Sequence, residues 1–133
     1  MGKRDIGGLE VFRQIEIQVQ RLSADSAQSA LFHPRADVFE TLDQVVVKME
    51  LAGVRSDQIR IAFSEDENCV TVAGRREEPR QELSLRTQCY QLEIYYGPFE
   101  RTVPIPASVN IIRESITATY SDGLLFVSLR KQV

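Results

Sequence analysis

The side chains able to act as nucleophiles, bases or metal ligands are few and scattered along this chain. His33 is the sole histidine of the 133 residues, and Cys69 and Cys89 form no Cys-x-x-Cys pair. A Cys-His nucleophile needs both side chains within hydrogen-bond reach; distance along the chain does not forbid it, but nothing in the sequence supports it. A tetrahedral zinc site would need an unspecified carboxylate to complete it. Cys69 therefore reads as a small buried hydrophobe. Cys89 lies in a long polar connection, where a plain thiol or an intersubunit disulfide are the alternatives. The run Glu65-Asp66-Glu67 has no EF-hand spacing and reads as a solvated turn. Gly7-Gly8 is followed by no GxGxxG or Walker pattern, so no phosphate cradle, nucleotide or other cofactor is expected. Neither enzymatic chemistry nor a metal site is expected from this set. Arg101 is the charge that calls for an explanation. It shares strand parity with Phe99, Val103 and Ile105, and a charge on an apolar face must be paired or reach water. Its partner is either a carboxylate within the sheet or one across a subunit interface, with Glu40 and Glu93 as candidates.

The elements that would carry these residues are mostly strands. Val45, Val47, Met49 and Leu51 alternate with Val46, Lys48 and Glu50 until Gly53 breaks the run. Ile59, Ile61 and Phe63 alternate with Arg60 and Ala62, and Val70 and Val72 form the inward face of the next strand. Ala36–Glu40 and Phe99–Ile105 are further strands. At the C-terminal end Ile116, Ala118 and Tyr120 share one face, and Leu125, Val127 and Leu129 share another. Asp122-Gly123 between them is a strong hairpin signal, because primed turns need positive φ. Leu124 to Val127 are apolar in succession, so both faces of the last strand need cover. Seven or eight short strands with frequent turns predict an all-β sandwich or barrel. Residues 9–22 read as an amphipathic helix with Val11, Phe12, Ile15, Val19 and Leu22 on one face, although Ile15, Ile17 and Val19 also fit a strand period. Residues 23–30 carry little apolar bulk and read as a linker. The expected organisation is an arm and linker over 1–31 and one folded domain over 32–133.

Bulk properties bound the function. Hydrophobic residues make up 43%, enough for a core that needs no disulfide. The net charge of −3, with both signs interspersed, argues against a nucleic-acid partner. Arg75-Arg76-Glu77-Glu78 cancels itself and reads as a solvated loop. No apolar run is long enough to span a membrane, and no apolar stretch follows Lys3-Arg4 as in a secretory signal. A soluble, cytoplasmic protein with reduced thiols is expected. The connection from Arg75 to Pro98 is unusually long for a compact domain. Its second half, around Cys89–Tyr95, has strand-like residues that could reach an edge on another chain.

Taken together, several blocks resemble the small heat-shock proteins, the α-crystallin-domain family, over Pro34 to Lys131. Pro34-Arg35-Ala36-Asp37-Val38-Phe39-Glu40 is similar to the family's opening strand. Leu51-Ala52-Gly53-Val54 stands where the family has Leu-Pro-Gly-Val, with Ala52 in place of Pro. Val70-Thr71-Val72-Ala73-Gly74 resembles Leu-Thr-Ile-x-Gly. Glu93-x-x-Tyr96-Gly97-x-Phe99-x-Arg101 with Ile105-Pro106, and Ala118 followed by Gly123-Leu124-Leu125, are similar to its two later blocks. Gln91 and Ile94 stand where the family often has Arg.

The resemblance implies an immunoglobulin-like antiparallel β-sandwich and an ATP-independent holdase that binds partly unfolded clients. It implies a homodimer by strand exchange, with a segment around Cys89–Glu93 pairing onto Ala36–Glu40 of the partner, and larger assemblies built on it. The interface would include Asp37, Val38, Phe39, Glu40, Tyr90, Leu92, Glu93 and Arg101. A client or assembly groove would run between the strands carrying Ile59, Ile61 and Phe63 and those carrying Ile116, Ala118 and Tyr120. In the family that groove takes an Ile-x-Ile or Ile-x-Val tail. Here the chain ends at Arg130-Lys131-Gln132-Val133, so the groove is expected to stand open or take another segment. The arm face of Val11, Phe12, Ile15, Val19 and Leu22 would supply further client contacts. A non-holdase adaptor of the CS type, or a structural assembly protein on the same sandwich, is the alternative.

Overall fold

The computed structural model describes residues 9–11, 17–19 and 32–132, the first two segments as backbone. Among the described residues nine strands form two layers. They are β1 (Leu9–Val11), β2 (Ile17–Val19), β3 (Ala36–Glu40), β4 (Gln44–Glu50), β5 (Ile59–Ser64), β6 (Cys69–Arg76), β7 (Gly97–Pro104), β8 (Thr117–Ser121) and β9 (Leu124–Arg130). One sheet runs β1-β8-β9-β4-β3 and the other β2-β5-β6-β7. Every pairing is antiparallel except β2 on β5.

Period-two alternation builds the core from both layers. In the first sheet Val45, Val47 and Met49 stand opposite Leu129, Val127 and Leu125, and all six are fully buried. In the second, Ile59, Ile61 and Phe63 stand opposite Gly74, Val72 and Val70. Val70 and Gly74 are in turn paired with Val103 and Phe99 on β7. Facing apolar layers of this kind are what a β-sandwich buries. The Tyr120 hydroxyl donates to the Leu51 carbonyl at 2.6 Å, satisfying a phenol that is otherwise inside the core. The β8–β9 hairpin closes on Asp122 and Gly123 with φ of 54° and 78°, the pair of positive values a type I′ turn requires.

Two regions differ from expectation. Leu9–Val11 and Ile17–Val19 are strands, which corrects the helix expected over residues 9–22. Short β-branched segments gain little as a helix, whereas two open sheet edges offer them backbone partners. Val11 and Val19 lie in these strands; Phe12, Ile15 and Leu22 fall outside the described residues. In the excursion between β6 and β7 there is no strand. It holds instead one short helix, α1 (Arg80–Leu85), beginning after Pro79. Its Arg, Gln, Glu and Leu residues are good helix formers, and residues 89–95 pair with no strand edge of their own chain.

Gly74 is the tightest point of the second sheet. A Cβ there would lie 1.9 Å from the Gln58 carbonyl oxygen and 2.8 Å from the tip of the Phe99 ring. The first of these is backbone and cannot swing away. Gly74→Ala should therefore destabilise the domain by about 3 kcal/mol, read as a lower urea midpoint with an unchanged m-value.

Candidate functional site

The reactive groups do not converge. His33 is exposed, and its Nδ1 donates to the Glu100 carbonyl at 2.8 Å. Glu100 is paired with Ala73, and Cys69 stands four positions back along β6, about 13 Å away at strand rise. Cys69 is buried, and its thiol pKa is pushed up by burial first and by the Glu67 carboxylate second. That combination makes an inert thiol. Cys89 is exposed and free. Glu65 is ion-paired with Arg113 across the surface. Among the described residues no three His, Cys, Asp or Glu side chains gather as metal ligands.

A cleft of about 760 Å³ opens at the foot of the excursion, lined by Arg55, Arg75, Arg76, Arg80, Glu77, Glu78, Tyr96 and neighbours. Its carboxylates are committed. Glu77 faces Arg55 at 3.8 Å and Glu78 is ion-paired with Arg86. Arg55 also holds Asp57 at 2.7 Å, and that hydrogen bond keeps the Asp57 carboxyl below its usual range.

Arg76 corrects the reading of its block as a solvated loop. It is half-buried, and it donates from Nε to the Tyr95 carbonyl and from Nη1 to the Ala52 carbonyl, each at 3.0 Å. Its guanidinium lies 5.0 Å from the Phe32 ring centre and 6.0 Å from that of Tyr96. Phe32 and Tyr95 stack at 5.3 Å. The result is a clasp that fixes the two feet of the excursion beside each other. Sequence reasoning missed it because its partners lie 19 and 24 residues away. The only available signal was an arginine following a strand-ending glycine, with two tyrosines at the far end of the connection.

The sheet edges form the rest of the candidate site. At one flank β3 is the last strand of its sheet, and Asp37, Val38, Phe39 and Glu40 on it are exposed. The excursion carries a run of exposed apolar side chains: Leu85 is 79% exposed, Tyr90 90%, Leu92 66% and Ile94 68%. Glu93 is exposed and accepts a hydrogen bond from Gln91 at 2.8 Å. Arg101 is half-buried, and its Nη1 donates to the Pro34 carbonyl at 2.7 Å. Neither carboxylate considered for it pairs with it within the chain, and Glu40 instead takes Lys131 at 3.1 Å. At the other flank, Ile59, Ile61, Phe63, Ala118 and Tyr120 are buried, and Ile116 packs half-buried against the same core. What this flank presents is backbone, and β1 and β2 lie along it.

This architecture is that of a known family. Residues 37–133 match the model of the Hsp20/alpha crystallin family. The chain is 30% identical over 103 residues to small heat shock protein C4 of Rickettsia felis, covering 77% of this chain and 59% of that protein. It is 35% identical over 98 residues to heat shock protein 16 of Schizosaccharomyces pombe, covering 74% and 66%. Among solved structures, heat shock protein 16.0 from Schizosaccharomyces pombe superposes with a TM-score of 0.69 at 30% identity, over 81% of this chain and 73% of that one. HSP18.5 from E. histolytica superposes at 0.64 and 29% identity, over 75% and 88%. The chain belongs to the Hsp20/alpha crystallin family, the small heat-shock proteins. It spans about three fifths of the length of its Rickettsia relatives.

The Arg101–Pro34 bond ties β7 to the start of β3. Arg101→Ala leaves that carbonyl without its charged donor and should cost about 1.5–3 kcal/mol. Arg101→Lys should recover part of the loss, both measured by chemical denaturation.

Proposed function

We propose that this chain is an ATP-independent holdase that captures partly unfolded proteins through exposed apolar surface. The observation that carries the reading is the exposed apolar run of the excursion, from Leu83 to Ile94, facing solvent together with Val38 and Phe39 of β3. Single exposed apolar residues are ordinary, but five large ones within residues 83–94 favour a surface that a partner covers. Holding needs no fuel, because binding lowers the free concentration of aggregation-prone chains by mass action. The β5/β8 flank and the apolar residues of the N-terminal segment, Val11, Phe12, Ile15, Val19 and Leu22, supply further contact for clients. Enzymatic turnover, a bound cofactor and nucleic acid play no part in this reading, and the protein acts in the cytoplasm. No helix among the described residues is long and apolar enough to cross a membrane.

The same surface supports a homodimer by strand exchange. The outer edge of β3 lacks a neighbour in its sheet. The segment around Tyr90, Leu92 and Glu93 has strand-forming residues and no partner strand of its own. Two copies related by a two-fold axis would satisfy both edges at once, with Asp37–Glu40 and Arg101 at the junction. Larger assemblies would then grow from these dimers.

Two measurements test the proposal. A model protein heated without nucleotide should scatter much less light when this chain is present at equimolar subunits. Unchanged scattering would favour an adaptor or a structural assembly protein on the same sandwich. For the dimer, Leu92→Pro removes a ladder donor from an exposed position and should convert the protein to monomer, by light scattering coupled to gel filtration, with thermal unfolding little changed. An unaltered particle mass would rule out exchange through this segment.

A further inference from the structure

The cleft at the foot of the excursion holds charge that the fold leaves unbalanced. β6 ends on Arg75 and Arg76, Arg80 opens α1, and Arg55 follows the turn at Gly53. The cleft and its ion-pair partners carry five guanidinium groups, Arg86 among them, against the three carboxylates of Asp57, Glu77 and Glu78. That is a local surplus of two positive charges in a chain whose net charge is −3. All three carboxylates are held by Arg55 and Arg86. Arg75 and Arg80 are exposed and pair with no carboxylate among the described residues. Arg76 is bound by two carbonyls and by ring faces rather than by a carboxylate, and its Nη2 makes no hydrogen bond among the described residues. Like charges gathered in one concavity repel each other until an anion enters, and the walls of the cleft focus their field.

We propose that this cleft is a docking site for an acidic peptide segment of a partner protein, with Arg75, Arg76 and Arg80 as its carboxylate receptors. A guanidinium takes a carboxylate through a two-point fork that is stronger than a neutral hydrogen bond. Arg76 is the pre-set anchor. Its two carbonyl bonds and the Phe32 ring already fix its side chain, so little freedom is lost when an anion arrives. Arg75 and Arg80 stand exposed on long stems and close on the carboxylates that follow. Between the charges the wall is apolar, formed by Pro79, Leu83 and Tyr96. The volume of about 760 Å³ is far more than one small anion fills; pockets of roughly 300–1,000 Å³ take ligands with several recognised groups. An isolated phosphate is better served by a tight nest of backbone amides. Here the cationic donors are side chains set apart by apolar wall, which suits carboxylates spaced along a peptide with aliphatic residues between them. The net negative charge of the whole chain repels an extended polyanion such as nucleic acid or an anionic membrane, whereas a short acidic segment meets mainly the local field. The chemistry is distinct from that of the exposed apolar run, with which the cleft shares only Leu83.

The test uses the full chain and a fluorescein-labelled peptide, Glu-Leu-Glu-Glu-Leu-Glu, followed by fluorescence anisotropy at low salt. The peptide should bind, and a counterpart with Gln in place of every Glu should bind at least about tenfold more weakly, which separates charge recognition from general apolar contact. The double variant Arg75→Gln with Arg80→Gln should weaken the acidic peptide about tenfold with thermal unfolding unchanged, since both side chains are exposed. Arg60→Gln with Arg130→Gln removes the same charge from exposed positions outside the cleft and should leave the affinity within about twofold. Absence of binding, equal binding of the two peptides, an unchanged affinity in the Arg75/Arg80 variant, or an equal loss in the Arg60/Arg130 variant would each overturn the proposal. Inorganic tripolyphosphate is the competing ligand. Displacement of the label by it at lower concentration than by unlabelled peptide would reassign the cleft to phosphate and equally defeat the peptide assignment. No readout involves an unfolded client or the state of association, so failure here leaves the holdase and dimer readings standing, and the converse holds too.

Discussion

A sheet edge is a row of backbone donors and acceptors that must be satisfied, and in this protein that constraint organises everything outside the core. Two stacked sheets have four terminal strands. The sandwich buries its apolar faces through β4, β9, β5 and β6, and the hydrophobic effect does the rest. It says nothing about what lies along the rims. Each rim is handled differently. One flank takes the two short N-terminal strands. On the other, Phe32, Pro34 and Arg101 bind β7 to the chain leading into β3, while the outer edge of β3 and the apolar excursion remain uncovered. Stability resides in the layers and association resides in the rims, and the two are set by largely separate residues.

How much of this was legible follows from the distance over which each feature is decided. The alternation of Val45, Val47 and Met49 and the Asp122-Gly123 turn are local signals, and the strands and the I′ hairpin follow them. Burial of Cys69 was legible for the same reason, from its place beside Val70 and Val72. The N-terminal segment was ambiguous at the outset, because Ile15, Ile17 and Val19 satisfy both periods. The choice is made by Ile61 and Tyr120, which are remote in sequence. The helix at Arg80–Leu85 was hidden by charge, which made the first half of the connection read as loop. Strand character around Tyr90 and Leu92 describes a preference that this chain expresses on none of its own edges.

For the functional surfaces the parity of residues was legible and their exposure was not. Ile59, Ile61 and Phe63 do share a face with one another and meet the layer carrying Ala118 and Tyr120. That face is the core itself, so what the flank offers to a partner is main chain. Arg101 shows the same limit. Its position on an apolar face demanded a partner, and within the chain a backbone carbonyl meets that need without a second charge to desolvate.

The Arg76 clasp has a consequence for how relatives of this chain diverge. It holds Ala52, Tyr95 and the ring of Phe32 around one guanidinium, so the points where the excursion leaves and rejoins the sandwich are fixed whatever lies between them. Residues 80–94 add no side chain to the buried core. Mutations there are released from the packing constraint that polices the layers. Changes in this one stretch can therefore alter the surface the chain presents while the scaffold beneath stays the same.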